Sequence, residues 1–225
     1  MILGLETVMV SGGGSVGVLG GEGEEWRREV GRCGSVAGEL VPVVVELLRE
    51  LGVSGRSLEG IAVDCGPGSF TGIRVGIATA LGLGDGWEVP VWGVTHFDLF
   101  PEVGEGRRRL VVVEAGFGGG IFYELREGEK IWRGYGVIGE RDLDEVFEGG
   151  GVYFGTEGSE VLEARGWERG EGVVIDAIEV CRAARRLRAR GEGMKVEPLY
   201  LHTQAYMKAR SGVEGHEAIE GRSGG

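Results

Sequence analysis

Cysteine is scarce in this chain. Cys33, Cys65 and Cys181 stand far apart with no Cys-x-x-Cys spacing. That argues against a disulfide scaffold or a zinc site and suits a reducing compartment. Positive charge is also short. The formal net charge is −12, whereas nucleic-acid affinity comes mostly from Lys and Arg on phosphate. The chain is therefore a poor candidate for holding a nucleic acid alone, though local basic patches remain. No hydrophobic run approaches the ~18 residues of a spanning helix. No basic region precedes the short apolar run at the N-terminus, so no signal peptide is expected. The expectation is a soluble cytoplasmic protein with no membrane partner. His96, His202 and His216 have no His-x-x-x-His spacing, so no metal site is expected from them.

What is abundant is glycine. The 47 glycines are about three times the average share of roughly 7%. They show no collagen period and fall inside apolar patterns as well as between them. Most are read as compositional bias that weakens helices, at about 1 kcal/mol per interior site. The chain's 225 residues, 42% of them hydrophobic, can bury a real core in one domain or two small lobes.

One stretch organises the sequence. Ile61-Ala62-Val63-Asp64-Cys65 reads as a buried strand, Gly66-Pro67-Gly68-Ser69 as a glycine-rich turn, and the pattern from Thr71 as a helix. Ser69 or Thr71 can cap that helix. Amides at such a turn can hold an anion, but the residues alone favour a tight turn without ligand. No Gly-Lys-Ser/Thr follows, and the third glycine comes too late for Gly-x-Gly-x-x-Gly. Nor is Gly68-Ser69-Phe70-Thr71-Gly72 a hydrolase elbow. Projected at about 100° per residue, Gly72, Gly76, Thr79, Ala80 and Leu83 share one side, Ile73, Ile77 and Leu81 the next, and Val75, Ala78 and Gly82 most of the rest. Arg74 is the only charge. A helix apolar almost all round is covered all round, by another part of the chain or by a partner.

The remaining pattern gives strands at 2–6, 15–19 and 25–30, then a helix at 35–51. Leu40, Val43, Val44, Leu47 and Leu51 lie on one side of that helix, and Ala37, Val41, Val45 and Leu48 extend it. Pro42 implies a kink or a late start. The glycine turn and its helix at 71–84 follow, then a strand at 89–94. After residue 107 the order partly recurs, with strands at 110–114, 120–125, 130–138 and 152–155 and helices at 141–147 and 159–165. A helix at 175–190 comes next, and from Ser211 the chain is Gly, Ser and charge, expected to be disordered. The order predicts a two-lobed actin-like, ribonuclease-H-like α/β fold, each lobe a mixed sheet flanked by helices. The expected division is 1–104, 105–210 and a tail at 211–225.

Gly66-Pro67-Gly68-Ser69-Phe70-Thr71-Gly72-Ile73-Arg74-Val75-Gly76 resembles the signature run of the TsaB (YeaZ) family, subunits of the machinery that makes threonylcarbamoyladenosine in tRNA. Glu197-Pro198-Leu199-Tyr200-Leu201 matches that family's closing Pro-x-Tyr-Leu motif. The usual Asp-Thr after strand one is Glu6-Thr7 here, the family's His falls on Val36, and Glu114-Ala115-Gly116 stands for Asp-Ala-Arg. The resemblance implies the same fold and a non-catalytic dimerisation subunit. It would dock on the catalytic TsaD-type subunit, beside a TsaE-type ATPase subunit, meet tRNA only through the complex, and self-associate when alone. The catalytic subunit is similar in fold but carries a histidine metal pair that this chain lacks.

The two helices at 35–51 and 71–84 are expected to form the partner interface, since both carry more apolar surface than one sheet covers. Gly72, Gly76 and Ala80 permit close approach, with Ile73, Ile77 and Leu81 beside them. Outward candidates are Val41, Val45 and Leu48 on the first helix and Ala78 and Gly82 on the second; which side meets the sheet stays open. Gly12, Gly13 and Gly14 are candidates to cradle phosphate through backbone amides. Yet Glu6 replaces Asp, so ATP is expected to bind weakly if at all, and no other cofactor or metal is expected. The basic run Arg182, Arg185, Arg186, Arg188 and Arg190 reads as a solvated helix face, with tRNA phosphate as the alternative. A rival from another class is a ribonuclease-H-like nuclease, in which Glu6 and Asp64, with Glu114 as a third acid, hold metal ions.

Overall fold

The computed structural model describes residues 1–9, 13–31, 35–115, 120–137, 147–155 and 159–201. Two five-stranded sheets share one topology. The first contains β1 (Ile2–Glu6), β2 (Gly14–Leu19), β3 (Glu25–Val30), β4 (Gly60–Asp64) and β5 (Val91–Val94) in the order β3-β2-β1-β4-β5. β1 to β3 form an antiparallel meander, and β4 and β5 add in parallel. The second contains β6 (Arg109–Glu114), β7 (Gly120–Glu127), β8 (Lys130–Val137), β9 (Gly151–Phe154) and β10 (Trp167–Arg169) in the order β10-β9-β6-β7-β8. Its meander and parallel additions match those of the first sheet. The chain divides into Met1–Leu99 with Val174–Leu199, and Phe100–Val173 with Tyr200 and Leu201.

In the first unit, β1 is buried along its whole length, as a central strand covered on both faces must be. One face carries α1 (Val36–Glu50) and α2 (Phe70–Trp87); the other carries α4 (Ala177–Ala189). A short third helix, α3 (Ser159–Ala164), belongs to the second unit. Leu40, Val44, Leu47 and Leu48 are the buried stripe of α1, at the spacing of a core-facing helix. α1 begins at Val36 and runs through Pro42, so the late start does not occur. α2 runs three residues past the expected 84. It ends where Glu88 turns left-handed at φ 60° and its N–H returns to the Gly84 carbonyl, which shortens β5 to Val91–Val94. The β3 edge is blunted by Glu25, Arg27, Arg28 and Glu29.

The chain leaves the first unit after Leu99 and returns to it at Val174, because α4 packs on the first sheet. Asp176 caps α4, accepting from the N–H groups of Ile178 (2.9 Å) and Glu179 (3.0 Å). A Cβ on Gly4 would strike the Ala177 carbonyl and lie 2.6 Å from Cys181 Sγ, and one on its register partner Gly17 would lie 2.8 Å from Ile178. Many other glycines seat aromatic rings: Gly55 under Trp87, Gly60 under Trp92, Gly120 under Tyr135 and Gly134 under Tyr123. At these positions glycine is required by packing, against the reading of most of the excess as bias. Gly38, Gly82 and Gly86 have open space around them and fit that reading.

In the second unit, one face of the sheet packs Leu110, Val112, Ile121, Tyr123, Leu125, Tyr153 and Trp167 with Phe147 and Leu162. On β7, Glu124 is fully buried and accepts from Arg109 (2.9 Å), Arg126 (2.6 Å) and Arg133 (2.7 Å). β10 was not expected. The expected helix at 141–147 and the tail at 211–225 lie outside the described residues, apart from Phe147.

The two kinds of glycine predict opposite outcomes. Gly82→Ala gains up to about 1 kcal/mol by helix propensity. Gly4→Ala loses about 2 kcal/mol or more by overpacking against the α4 backbone. Urea unfolding followed by circular dichroism measures both.

Candidate functional site

The glycine loop leaves β4 at Asp64 and enters α2 at Phe70. Gly66 has φ 96°, open to glycine at no steric cost; the Gly66–Pro67 peptide is cis. The loop spends its amides internally. Gly66 N–H donates to Asp64 Oδ1 (2.8 Å) and Ser69 N–H to the Val8 carbonyl (2.8 Å), and Gly72 N–H donates to Ser69 Oγ (3.2 Å). Ser69 is thus the helix cap, and these three amides are spent within the chain. Thr7 Oγ1 donates to the Gly72 carbonyl at 2.8 Å. A Cβ on Gly72 would overlap the Thr7 carbonyl, and one on Gly76 would lie 2.5 Å from Thr7 Oγ1.

This geometry corrects the expected interface. Gly72, Ile73, Gly76, Ile77 and Ala80 are all buried; what Gly72 and Gly76 admit is the chain's own Thr7, just past β1, and Val63 of β4. Leu48 is 4% exposed and belongs to the core stripe of α1. Facing out are Val41 and Val45 on α1 and Ala78 and Gly82 on α2, joined by Phe70, Arg74 and Leu81. The Arg74 guanidinium stacks over the Phe70 ring at 3.7 Å.

A buried polar cluster lies beneath the loop. Asp64 Oδ2 and His96 Nδ1 are 2.6 Å apart, with both side chains essentially inaccessible. Glu6 Oε1 accepts from the N–H groups of Val8 (2.8 Å) and Met9 (3.1 Å). Burial, reinforced by the charge of Asp64, pushes Glu6 from its ordinary 4.5 up to about 7. Burial alone would lower His96, but the charge and hydrogen bond of Asp64, helped by Glu6, outweigh it and raise that imidazole. His96 opens a short 3-10 helix, His96–Leu99. The sequence signal for the Asp64–His96 contact was an acid closing β4 and a histidine two residues past its register partner Val94 on β5.

The nuclease reading finds no geometry here. Both Asp64 oxygens are engaged, Glu6 is turned onto its own loop, and Glu114 ends β6 exposed in the other unit. Among the described residues no group of three His, Cys, Asp or Glu side chains is placed to hold a metal ion. His202, His216, Cys33, Gly116 and Gly12 lie outside the described residues.

Gly13 and Gly14 line a cavity of about 410 Å³ together with Glu6, Glu29, Asp176 and Arg27. Arg27 is already paired with Asp176 at 3.0 Å and Glu29 at 3.8 Å. A phosphate there meets an excess of carboxylate, which opposes binding. The basic run of α4 is also committed. Arg182 and Arg186 pair with Glu179, Arg185 bonds the Gly20 carbonyl, Arg188 pairs with Glu59 and stacks on Trp92, and Arg190 pairs with Glu192. No helix among the described residues is long and apolar enough to cross a membrane.

A family model described as TsaD, tRNA N6-adenosine threonylcarbamoyltransferase, matches residues 37–116, the span holding α1, the glycine loop and α2. The chain is 31% identical over 110 residues to the tRNA threonylcarbamoyladenosine biosynthesis protein TsaB of Escherichia coli, covering 49% of this chain and 43% of that protein. It is 39% identical over 62 residues to an uncharacterized protein of Mycobacterium tuberculosis, covering 28% and 29% respectively. The matched stretches thus span less than half the length of these curated relatives. The solved structure of YeaZ from Pseudomonas aeruginosa matches with a TM-score of 0.61 at 23% identity, over 89% of this chain and 99% of that one. The repeated sheet topology and these solved folds define a two-lobed α/β protein of the actin-like, ribonuclease-H-like class. Within that class the chain is similar over part of its length to proteins named TsaB, and the matched family model spans the glycine loop and its flanking helices.

The raised Glu6 predicts a pH dependence. Between pH 4.5 and about 7 the unfolded chain loses this proton before the folded one, so folding loses up to about 3 kcal/mol as pH rises through that window. His96 acts in the same direction: its contribution is present below its ordinary 6.5 and is lost as pH rises through its raised value. Glu6→Gln keeps the acceptor for Val8 and Met9. It should match the wild type at pH 4.5 and exceed it at pH 8 in thermal unfolding. Calorimetry with ATP should show no micromolar site; such a site, abolished by Gly13→Val, would mean that the cavity accepts phosphate after all.

Proposed function

We propose that this chain is the non-catalytic dimerisation subunit of the machinery that makes N6-threonylcarbamoyladenosine in tRNA. It docks the outward faces of α1 and α2 on the catalytic threonylcarbamoyl transferase subunit and helps hold that enzyme in a competent state. One observation carries the reading. Of the exposed large hydrophobics among the described residues, Val41 (41%), Val45 (53%), Phe70 (50%) and Leu81 (45%) lie on α1 and α2, and only Val174 lies elsewhere. α1 and α2 pack side by side, so these groups form one apolar strip of the kind that marks an interaction surface. Two helices from a partner of like fold would complete a four-helix contact. That the transferase of Nitratidesulfovibrio vulgaris is 44% identical to this chain over 55 residues supports a partner of like fold.

The non-catalytic role is supported by the engagement of Glu6, Asp64 and His96 with backbone and with one another. A cytoplasmic location follows from the proposed role. A TsaE-type ATPase subunit belongs to the same machinery, and tRNA is met through the assembled complex, in keeping with the net charge of −12. Without its partner, the chain covers the same strip by self-association.

Val45→Arg and Ala78→Arg place a charge in the strip, and burying it without a partner costs several kcal/mol. Both variants should keep the wild-type circular dichroism spectrum and lose association with the catalytic subunit, weakening it a hundredfold or more in size-exclusion and titration measurements. If both stay folded and still associate as the wild type does, the docking surface lies elsewhere.

A further inference from the structure

We propose that Asp64 and His96 are positioning residues, a buried latch that holds the glycine loop and the head of α2 and so sets the shape of the docking face. The inference rests on the docking reading above and names how that face is controlled.

Gly66 is gripped at both ends of its peptide unit. Its N–H donates to Asp64 Oδ1 at 2.8 Å, and its carbonyl accepts from the His96 backbone N–H at 2.7 Å. The side chains of the same two residues close the ring through the 2.6 Å Oδ2–Nδ1 contact. A second clamp starts at Glu6, which holds Val8 and Met9. Val8 in turn accepts from Ser69, and the neighbouring Thr7 donates to Gly72. The first turn of α2, which presents Phe70 and Arg74, hangs from these two clamps.

The latch is close to neutral as built. Asp64 faces a histidine that its own charge favours in the protonated form, and Glu6 keeps its proton to about pH 7. The other ionisable groups around it are spoken for. Asp98 accepts from Thr95 N–H and Oγ1, Glu179 on α4 is bound by Arg182 and Arg186, Arg186 also bonds the Asp98 carbonyl, and Cys65 stays a thiol with its pKa pushed up to about 12. Raising the pH past 7 ionises Glu6 beside Asp64 or removes the His96 charge. Either leaves a buried negative charge uncompensated and loosens the loop.

The test is hydrogen exchange by mass spectrometry on the full chain. In the wild type, protection of 66–76, corrected for intrinsic rates, should fall about tenfold between pH 6 and pH 8 while 40–50 in α1 holds. In Asp64→Asn, which keeps an acceptor for Gly66, and in His96→Gln, protection of 66–76 should already be tenfold lower at pH 6, leaving only the part of the pH dependence that Glu6 carries. Unchanged protection at 66–76, or an equal loss in α1, overturns the latch, and the wild-type profile decides even if both variants unfold. Titration with the catalytic subunit separates the two ideas. Weaker binding by folded Asp64→Asn, with Val45→Arg also defective, supports both. Full binding by Asp64→Asn with Val45→Arg defective sinks the latch and keeps the docking face. Loosened exchange with Val45→Arg binding normally keeps the loop-holding role and removes its link to docking.

Discussion

The close approach of α4 to β1 and β2 is the constraint on which the first unit depends. It is possible because Gly4 and Gly17 face each other in register with no Cβ, so that Ala177 and Cys181 sit directly on the sheet. The approach is near enough for Ala177 N–H to donate to Ser15 Oγ at 2.8 Å and for the Cys181 thiol to reach the Ile2 carbonyl at 3.4 Å. With α1 and α2 on the opposite face, the sheet is sealed on both sides. The acids that close its central strands are sealed with it. Asp64 is fully buried and Glu6 nearly so, and their chemistry follows from that: one meets a histidine, the other keeps its proton to near neutral pH.

The same scarcity of Cβ atoms works at the glycine loop. Gly72 and Gly76 let α2 settle on Thr7 and Val63, and this rotates the helix so that Phe70, Ala78, Leu81 and Gly82 look outward. A helix apolar on every side has two surfaces to place. Close packing decides which goes inward, because a small-residue face on the sheet gains far more contact than a large-residue face would. The outward strip is therefore a consequence of the inward fit. The charged groups nearby follow the same economy: the arginines of α4 pair with Glu179, Glu59, Glu25 and Glu192, so a run that looks basic in sequence is close to neutral in place.

The second unit repeats the topology of the first with a different interior solution. Its central strand pair buries Glu124 under three arginines, where the first unit buries Asp64 with His96. Removing one partner from such a cluster leaves an uncompensated charge and costs about 3–5 kcal/mol, so each cluster ties its strands into one arrangement. Aromatic rings lie over Gly120 and Gly134 on the β7–β8 pair, as Trp87 and Trp92 lie over Gly55 and Gly60.

The sequence by itself determined the local elements and their order. Alternation and apolar runs located nine of the ten strands, 3.6-residue periodicity located α1, α2 and α4, and Ser69 was legible as a cap because capping is a matter of neighbours in the chain. The order of elements carried the fold class, and the run from Gly66 to Gly76 carried the resemblance to the TsaB (YeaZ) family. What only the tertiary structure decided depends on residues far apart in sequence. It returned α4 to the first sheet, and it turned Gly72, Ile73, Gly76, Ile77 and Ala80 inward. It also buried Leu48 and set His96 against Asp64. Periodicity reports that a helix has an apolar side but not which of two apolar sides meets the sheet, since both satisfy the same pattern. Nor does any local signal join an acid closing one strand to a histidine beyond the next. That contact exists because two parallel strands end at the same level, which is a property of the sheet.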